Sequence, residues 1–349
     1  MDIIRVLLLF LALTFILWLA NVADRQRARG QAESGQVTAI IAYVLLGLLY
    51  AALILVGLVF QLLGLFEGSP FVTNLDRTYR QMVIQIASYS LLGLGFWLPS
   101  LVGLVLLLRP VRRVAGRLLP QFDPLSTVHA VALSYSTLIG VNLLATIGFG
   151  IGNLGTSVAG SAYNLLPLLW AQDLASAALA LVGVGWLSRR SLRGALGRLG
   201  IVPPTPLQTV LGLGLGIVLA IVDLVVEYLA STIGITPGAD VERLTEQLLG
   251  PLTRSAAGIL TMGVAAALGE ESLFRGALQP RFGLLFTALL FALLHGTYGL
   301  SFATLLVFLV GLILGLARQR ANTSTTMILH AVYNMTLGVI AYVGLMQKV

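Results

Sequence analysis

The chain has 349 residues, of which 58% are hydrophobic and only 10% are charged, whereas a soluble domain usually has about 25% charged residues. Its mean hydropathy of +0.95 excludes most soluble folds and makes the lipid bilayer the expected solvent for most of the chain. The net charge of +7 comes mainly from arginines that lie between apolar runs, so it indicates membrane topology and no nucleic-acid partner. The absence of cysteine excludes disulfides, thiol nucleophiles and Cys-ligated zinc.

Apolar runs recur along the whole chain, and a spanning helix needs about 20 apolar residues. They predict an all-α, polytopic transmembrane bundle with about ten spans, near 3–22, 37–66, 82–108, 129–152, 164–188, 209–233, 256–279, 283–298, 300–317 and 325–346. The first run precedes its arginine cluster, which favours an uncleaved anchor over a cleaved signal peptide. The Pro-rich segment 202–206 is the predicted boundary between a five-helix membrane module of unknown role, residues 1–200, and a five-helix C-terminal part.

The distribution of arginine between the spans predicts how the chain crosses the membrane. One side receives the connectors 23–35, 109–128 and 189–208, followed by Arg281, Arg318 and Arg320. The other side has fewer basic residues, namely Arg77, Arg80, Arg243, Arg254 and Lys348. By the positive-inside rule the Arg-rich loops are cytoplasmic and both chain ends lie outside. The polar segment 234–255 is predicted to be a lid or a short interfacial helix on the outer face.

Ionisable side chains are concentrated in the C-terminal spans. Such groups cost several kcal/mol in a bilayer unless they are paired or line a cavity, so they are functional candidates. They are Glu270, Glu271 and Arg275 on one span, His295 on the next, and His330 with Asn334 on the last.

Helical periodicity predicts how these side chains are arranged. Glu271 and Arg275 are four residues apart and can pair on one face, whereas Glu270 points about 100° away and is the free carboxylate. His330 and Asn334 share a face of the last span. Phe291 precedes His295 by one turn. The three helices are therefore predicted to converge on one polar cavity.

These residue types favour a peptide hydrolase. A carboxylate and an imidazole in a desolvated pocket can together take a proton from water and deliver it to a leaving amine. A second imidazole and an amide can donate hydrogen bonds to the carbonyl oxygen as it becomes negative, an effect of about 3–4 kcal/mol per donor.

Other interpretations of the same residues stay open. The charged residues can form a structural ion-pair network, and the histidines and Asn334 can be interhelical hydrogen-bonding groups. Two histidines and two glutamates could bind zinc, although the chain has no HExxH motif and Arg275 opposes a cation, which favours a metal-free site. Asp173, Asp223 and Glu227 could form a transport path or proton relay, but contact with water or with helix partners is favoured. At the level of function, the alternatives are a non-catalytic membrane scaffold, an immunity-type binding protein and a small-solute transporter.

Three short motifs support the protease interpretation. The segments EESLFR (270–275), FALLH (291–295) and HAVYN (330–334) resemble, in order, the EExxxR, FxxxH and HxxxN motifs of the CPBP family. That family includes CAAX prenyl endoproteases and the bacteriocin-processing and abortive-infection-type membrane proteases. The resemblance covers residues 207–346 and does not extend to earlier residues.

The resemblance implies an intramembrane protease domain over residues 207–346 that requires no cofactor. By the same resemblance, Glu270 is the general base on the catalytic water and His295 is its partner, while His330 and Asn334 stabilise the oxyanion. Glu271 and Arg275 match supporting positions, and Phe291 would orient His295. The Arg-rich, Lys-poor composition is typical of a prokaryotic plasma-membrane protein. A peptide or another membrane protein is therefore the expected substrate, in preference to a prenylated tail.

Overall fold

A computed structural model describes residues 3–66, 88–119, 121–154 and 165–346, and its regular elements in these ranges are helices. Within the described ranges, nine helices are long and apolar enough to cross a membrane, which confirms the predicted all-α membrane bundle. They are α1 (Ile3–Ala28), α2 (Ala32–Leu65), α3 (Tyr89–Leu106), α5 (Thr127–Phe149), α6 (Leu165–Gly183), α8 (Pro206–Thr232), α10 (Ala256–Phe282), α12 (Phe302–Arg320) and α13 (Thr323–Met346). Four shorter helices complete the described elements, α4 (Arg109–Leu118), α7 (Leu192–Leu199), α9 (Ala239–Thr253) and α11 (Leu284–Leu294).

The predicted span 283–298 corresponds to the short helix α11, which has only 11 residues. At 1.5 Å per residue this helix is roughly 16 Å long, about half of the hydrocarbon core. It begins after Gly283, whose φ of 82° stops α10, and it ends before His295. A single 3₁₀ turn, Gly296–Tyr298, follows. The start of the predicted third span, 82–87, lies outside the described residues, as do Arg77 and Arg80.

Helix α10 lies at the centre of the bundle. In its most apolar window 56% of the residues are buried, and the other candidate spans in the described ranges reach at most 39%. The helix widens to a π-helical hydrogen-bonding pattern over Thr261–Ala265 and again over Glu271–Leu278. Short π segments inside α-helices are frequent at functional sites. The second of them contains two of the charged residues that the sequence singled out, Glu271 and Arg275.

The N-terminal part packs directly on α10. A Cβ atom at Gly269 would lie 2.5 Å from Asp173 Oδ1, so α6 can approach α10 this closely only at a glycine. The Trp170 indole donates a hydrogen bond to Thr261 Oγ1 at 3.1 Å. These contacts fix α6 along the helix that carries the candidate site.

The Arg-rich connectors meet at one end of the molecule. Arg25 donates to the Ser188 carbonyl at 2.5 Å, and Arg27 donates to Thr127 Oγ1 at 2.8 Å. Arg198 is within electrostatic range of four other arginines, Arg189, Arg190, Arg281 and Arg318.

The polar segment 234–255 lies at the opposite end of the bundle. It contains helix α9, and Asp240 in its first turn lies against Gly152, which follows the end of α5. Val241 and Leu244 of α9 are buried. The predicted short helix is therefore present and packs against the rest of the protein.

Candidate active site

Glu271 is the centre of a buried charged cluster. Its Oε1 atom lies 3.1 Å from Nδ1 of His330 on α13, and its Oε2 atom lies 3.5 Å from Nε of Arg275. The side chains of all three residues are at most 5% exposed. The Glu271–Arg275 pair expected from helical spacing is therefore present, and the His330 contact joins α10 to α13. A carboxylate can only accept, so the 3.1 Å contact requires a proton between the two groups.

Glu270 forms no ion pair with this cluster in the described part of the chain. One of its carboxylate oxygens, Oε2, is buried and accepts no hydrogen bond from the described residues. The carboxylate is close enough to interact electrostatically with Asp173, Arg275, His330 and Tyr298. Buried polar atoms in native proteins nearly always have a partner. This oxygen is therefore suited to accept a hydrogen bond from a water or a substrate group.

The geometry around His295 fixes the tautomer of its neutral ring. Its Nδ1 atom lies 2.9 Å from the carbonyl oxygen of Phe291. A carbonyl can only accept, so Nδ1 carries the proton and Nε2 has the lone pair. The His295 ring also lies between two aromatic rings, with centroids 5.0 Å from Phe291 and 6.2 Å from Tyr298. The residue is half-buried, and its Nε2 atom has no hydrogen-bond partner among the described residues.

Phe291 contacts several of the charged groups. Its ring centroid is 6.0 Å from that of His330, and the Arg275 guanidinium lies over its face at 4.5 Å. A cation at this distance from an aromatic face is attracted by the ring quadrupole. The edge of Phe274 packs against the same ring at 5.4 Å. Phe291 therefore contacts His295, His330 and Arg275 and links them through one ring.

Asn334 lies one turn beyond His330 on α13. Its amide donates one hydrogen bond to the Met262 carbonyl at 3.1 Å. An amide NH₂ has two hydrogens, so the second remains available to a ligand. The structure therefore places the four predicted catalytic residues, Glu270, His295, His330 and Asn334, on three neighbouring elements linked by the Phe291 ring and by the Glu271–His330 contact.

Asp173 belongs to this site, although the sequence favoured an ordinary contact with water or a helix partner. It is only 5% exposed, and it lies against the backbone of Gly269. It interacts electrostatically with Glu270 and His330. The signal in the sequence was an acidic residue inside an apolar span, but only the packing of α6 on α10 reveals its partner.

Tyr298 is a second residue that sequence reasoning missed. Its ring stacks on His295 with an interplanar angle of 2°. The phenol lies within electrostatic range of Glu227, Asp223 and Glu270. A phenol hydroxyl can donate a hydrogen bond, so Tyr298 offers a donor near His295.

Asp223 on α8 accepts a hydrogen bond from the Tyr333 hydroxyl at 2.6 Å. This acidic residue thus has the helix partner that the sequence favoured.

The described residues contain no group of three His, Asp or Glu side chains arranged to hold a metal ion. Glu271, one of the conceivable ligands, is instead paired with a guanidinium, which opposes the binding of a cation.

Comparison with known proteins identified one family. Residues 253–336 match the family model described as Type II CAAX prenyl endopeptidase Rce1-like. The match runs from the end of α9 into α13 and includes every residue of the three motifs. No curated protein and no solved structure matched the chain.

Proposed function

Because residues 253–336 form an Rce1-like domain of the type II CAAX prenyl endopeptidase (CPBP) family, we propose that the protein is an intramembrane endopeptidase. It would hydrolyse a peptide bond in a peptide or a membrane-associated protein. The observation that carries this proposal is the buried Oε2 of Glu270, which accepts no hydrogen bond from the described residues. On a neighbouring element, the Nδ1 atom of His295 is bound to a carbonyl oxygen, which leaves a lone pair on Nε2. The surrounding bilayer is that of a prokaryotic plasma membrane, with the Arg-rich end in the cytoplasm.

The proposed reaction begins with a water held between Glu270 and His295. Glu270 accepts one proton of this water, and the Nε2 atom of His295 accepts a hydrogen bond from the other. The oxygen attacks the scissile carbonyl carbon and forms a tetrahedral intermediate. Glu270 then returns its proton to the amine nitrogen as the C–N bond breaks, so the base of the first step is the acid of the second.

His330 and Asn334 would stabilise the oxyanion of this intermediate. Glu271 binds Nδ1 of His330, so a His330 ring protonated on both nitrogens has Nε2–H left to donate. Asn334 contributes the N–H that does not bind Met262. Preorganised donors of this kind contribute about 3–4 kcal/mol each to the transition state. Glu271, Arg275 and Phe291 position these groups.

The test is the cleavage of a fluorogenic peptide library by the purified full chain in detergent. Glu270→Gln keeps the size of the side chain but removes the base, so the cleavage rate should fall by roughly 10²–10⁴-fold. The matched control is Glu33→Gln, because Glu33 is exposed on α2. This control variant should cleave at the wild-type rate. Size-exclusion chromatography and circular dichroism confirm that each variant is folded.

Each measurement is repeated with a strong zinc chelator. Activity that survives chelation and is lost in Glu270→Gln supports the metal-free mechanism. Activity that is lost to the chelator and restored by zinc would establish the metalloprotease alternative. A well-folded protein that cleaves nothing in the library, with Glu270→Gln still functional in cells, would favour the non-catalytic scaffold.

A further inference from the structure

A large apolar cavity lies between the N-terminal helices and the protease domain. Its volume is about 540 Å³, which is within the roughly 300–1,000 Å³ range of small-molecule sites. Its walls come from α1, α2, α5, α6, α10 and α11 and include Leu13, Leu49, Leu179 and Leu290. The four proposed catalytic residues do not line it. The cavity is therefore separate from the candidate active site.

One end of this cavity is strongly cationic. Four arginines line it, Arg189, Arg190, Arg198 and Arg281. Arg189 and Arg190 also line a surface cleft with Arg25 and Arg29, so the cationic end faces the membrane surface at the Arg-rich end of the bundle. The cavity thus combines an apolar interior with a positively charged mouth.

These arginines are only weakly compensated by negative charge. Asp24 lines the surface cleft, but it acts on Arg189 less than the charge of Arg190 does, and its carboxylate accepts hydrogen bonds from Ser126 and Thr127. In the described part of the chain, none of the four is within ion-pair distance of an Asp or Glu. Burial, followed by the charges of neighbouring arginines, lowers the pKa of Arg198 to about 10. Burial likewise lowers the pKa of Arg189. An anion at this position would relieve the mutual repulsion of the guanidinium groups.

We propose that the cavity binds an anionic membrane phospholipid, with the phosphate on the arginines and an acyl chain in the apolar interior. A free phosphate ion would leave the apolar walls unfilled, and a neutral apolar molecule would leave the arginines unneutralised. Arginine binds phosphate well because its planar donors match two phosphate oxygens. Basic pockets between transmembrane helices on the cytoplasmic side are suited to anionic head groups. This inference does not depend on the proposed protease activity.

Lipid binding is measured by native mass spectrometry of the purified full chain, with phosphatidylglycerol and phosphatidylcholine of identical acyl chains. The protein should retain phosphatidylglycerol in preference to phosphatidylcholine. The double variant Arg198→Gln/Arg281→Gln should bind it about thirty-fold more weakly, since each basic residue near an anionic lipid contributes about 1 kcal/mol. The matched control is Arg113→Gln/Arg117→Gln, which removes the same charge from exposed positions on α4 outside the cavity. The control should bind as the wild type does.

A second variant tests the acyl chain separately. Ala132→Phe fills part of the apolar interior of the cavity without changing any charge. This variant should also bind phosphatidylglycerol more weakly than the wild type does. Inorganic phosphate should raise the melting temperature of the wild type much less than the lipid does.

Three results would overturn the proposal. Equal retention of the two lipids would show that the head group is not recognised, and equal stabilisation by phosphate alone would show that the chain is not bound. Protection by an apolar peptide but by neither lipid would assign the cavity to a substrate. These comparisons use the wild-type protein, so they decide the proposal even if a variant fails to fold.

Discussion

Two carboxyl groups, those of the buried Asp173 and the half-buried Glu270, lie at the candidate site although they come from opposite halves of the chain. Asp173 lies against the residue that precedes Glu270, and the charges of Glu270 and His330 act on it. A carboxyl group in this position can hold or orient a water next to the proposed base. We therefore predict that Asp173 positions a water for the proposed base, and that its substitution has a measurable effect on catalysis.

We predict that Asp173→Asn lowers kcat by less than Glu270→Gln does and changes the dependence of kcat on pH. Asparagine preserves the size of the side chain but cannot gain or lose a proton, so it removes the electrostatic interaction between Asp173 and Glu270. The measurement is the pH profile of kcat and KM for the wild type, Asp173→Asn and a control, Asp240→Asn, at an exposed position. A purely packing role for Asp173 would leave the shape of the pH profile unchanged.

The residue-level predictions that succeeded were local ones. The pairing of Glu271 with Arg275 follows from a spacing of four residues on one helix. The contact of Glu271 with His330 joins residues 59 positions apart, and periodicity cannot specify such a tertiary partner. The roles assigned to Glu270, His295, His330 and Asn334 stay predictions until the variants are measured.

At the scale of elements, α6 can cross close to α10 because residue 269 is a glycine and has no side chain. Asp173 occupies the space into which a Cβ atom at Gly269 would project, at 2.5 Å. Real Cβ atoms do not approach an oxygen this closely, so any larger residue must displace α6 or Asp173.

We predict that Gly269→Ala destabilises the protein by about 1–3 kcal/mol, the usual effect of overpacking, and reduces cleavage as well. The control is Gly214→Ala on the exposed face of α8, where no atom lies within 4 Å of the added Cβ. Alanine there should be neutral or stabilise the helix by up to about 1 kcal/mol. Denaturant unfolding in detergent measures both variants. Equal effects at the two positions would mean that the close crossing is not important for stability.

Hydropathy located most of the spans because a bilayer requires long apolar helices. It overestimated α11 because residues 283–298 contain no Asp, Glu, Lys or Arg, while the helix within them is bounded by Gly283 and His295. Hydropathy also gives no signal for the π-helical segment Glu271–Leu278, since a change of hydrogen-bonding pattern leaves composition unaffected.

At the scale of the whole molecule, the arginines at one end define an orientation that can be tested directly. The chain has no cysteine, so single cysteines can be labelled without background. We predict that Thr236→Cys, exposed between α8 and α9, reacts with a membrane-impermeant maleimide on intact cells. Leu118→Cys, 75% exposed at the end of α4, should react only after permeabilisation. The reverse labelling pattern of the two variants would show that the orientation is opposite to the proposed one.

The N-terminal part could be recognised from the sequence only as a set of spans. The motifs and the family match are confined to residues 253–336, so nothing local indicated that α6 contributes Asp173 to the site or that α1 and α2 form a wall of the apolar cavity. Both features arise from packing between distant segments. The division into residues 1–200 and 207–346 stays a prediction, although the two parts share buried contacts.

The break in the helices after His295 has a consequence for hydration. The amides of Tyr298 and Gly299 bond back to the carbonyls of His295 and Gly296, and Thr304 donates to the Gly299 carbonyl at 2.7 Å. Irregular backbone persists at membrane depth only where protein encloses it or water wets it. Hydrolysis of a peptide bond consumes one water molecule, so the proposed activity requires a path for water to Glu270. We expect that path at this turn, because it interrupts the apolar helices next to His295.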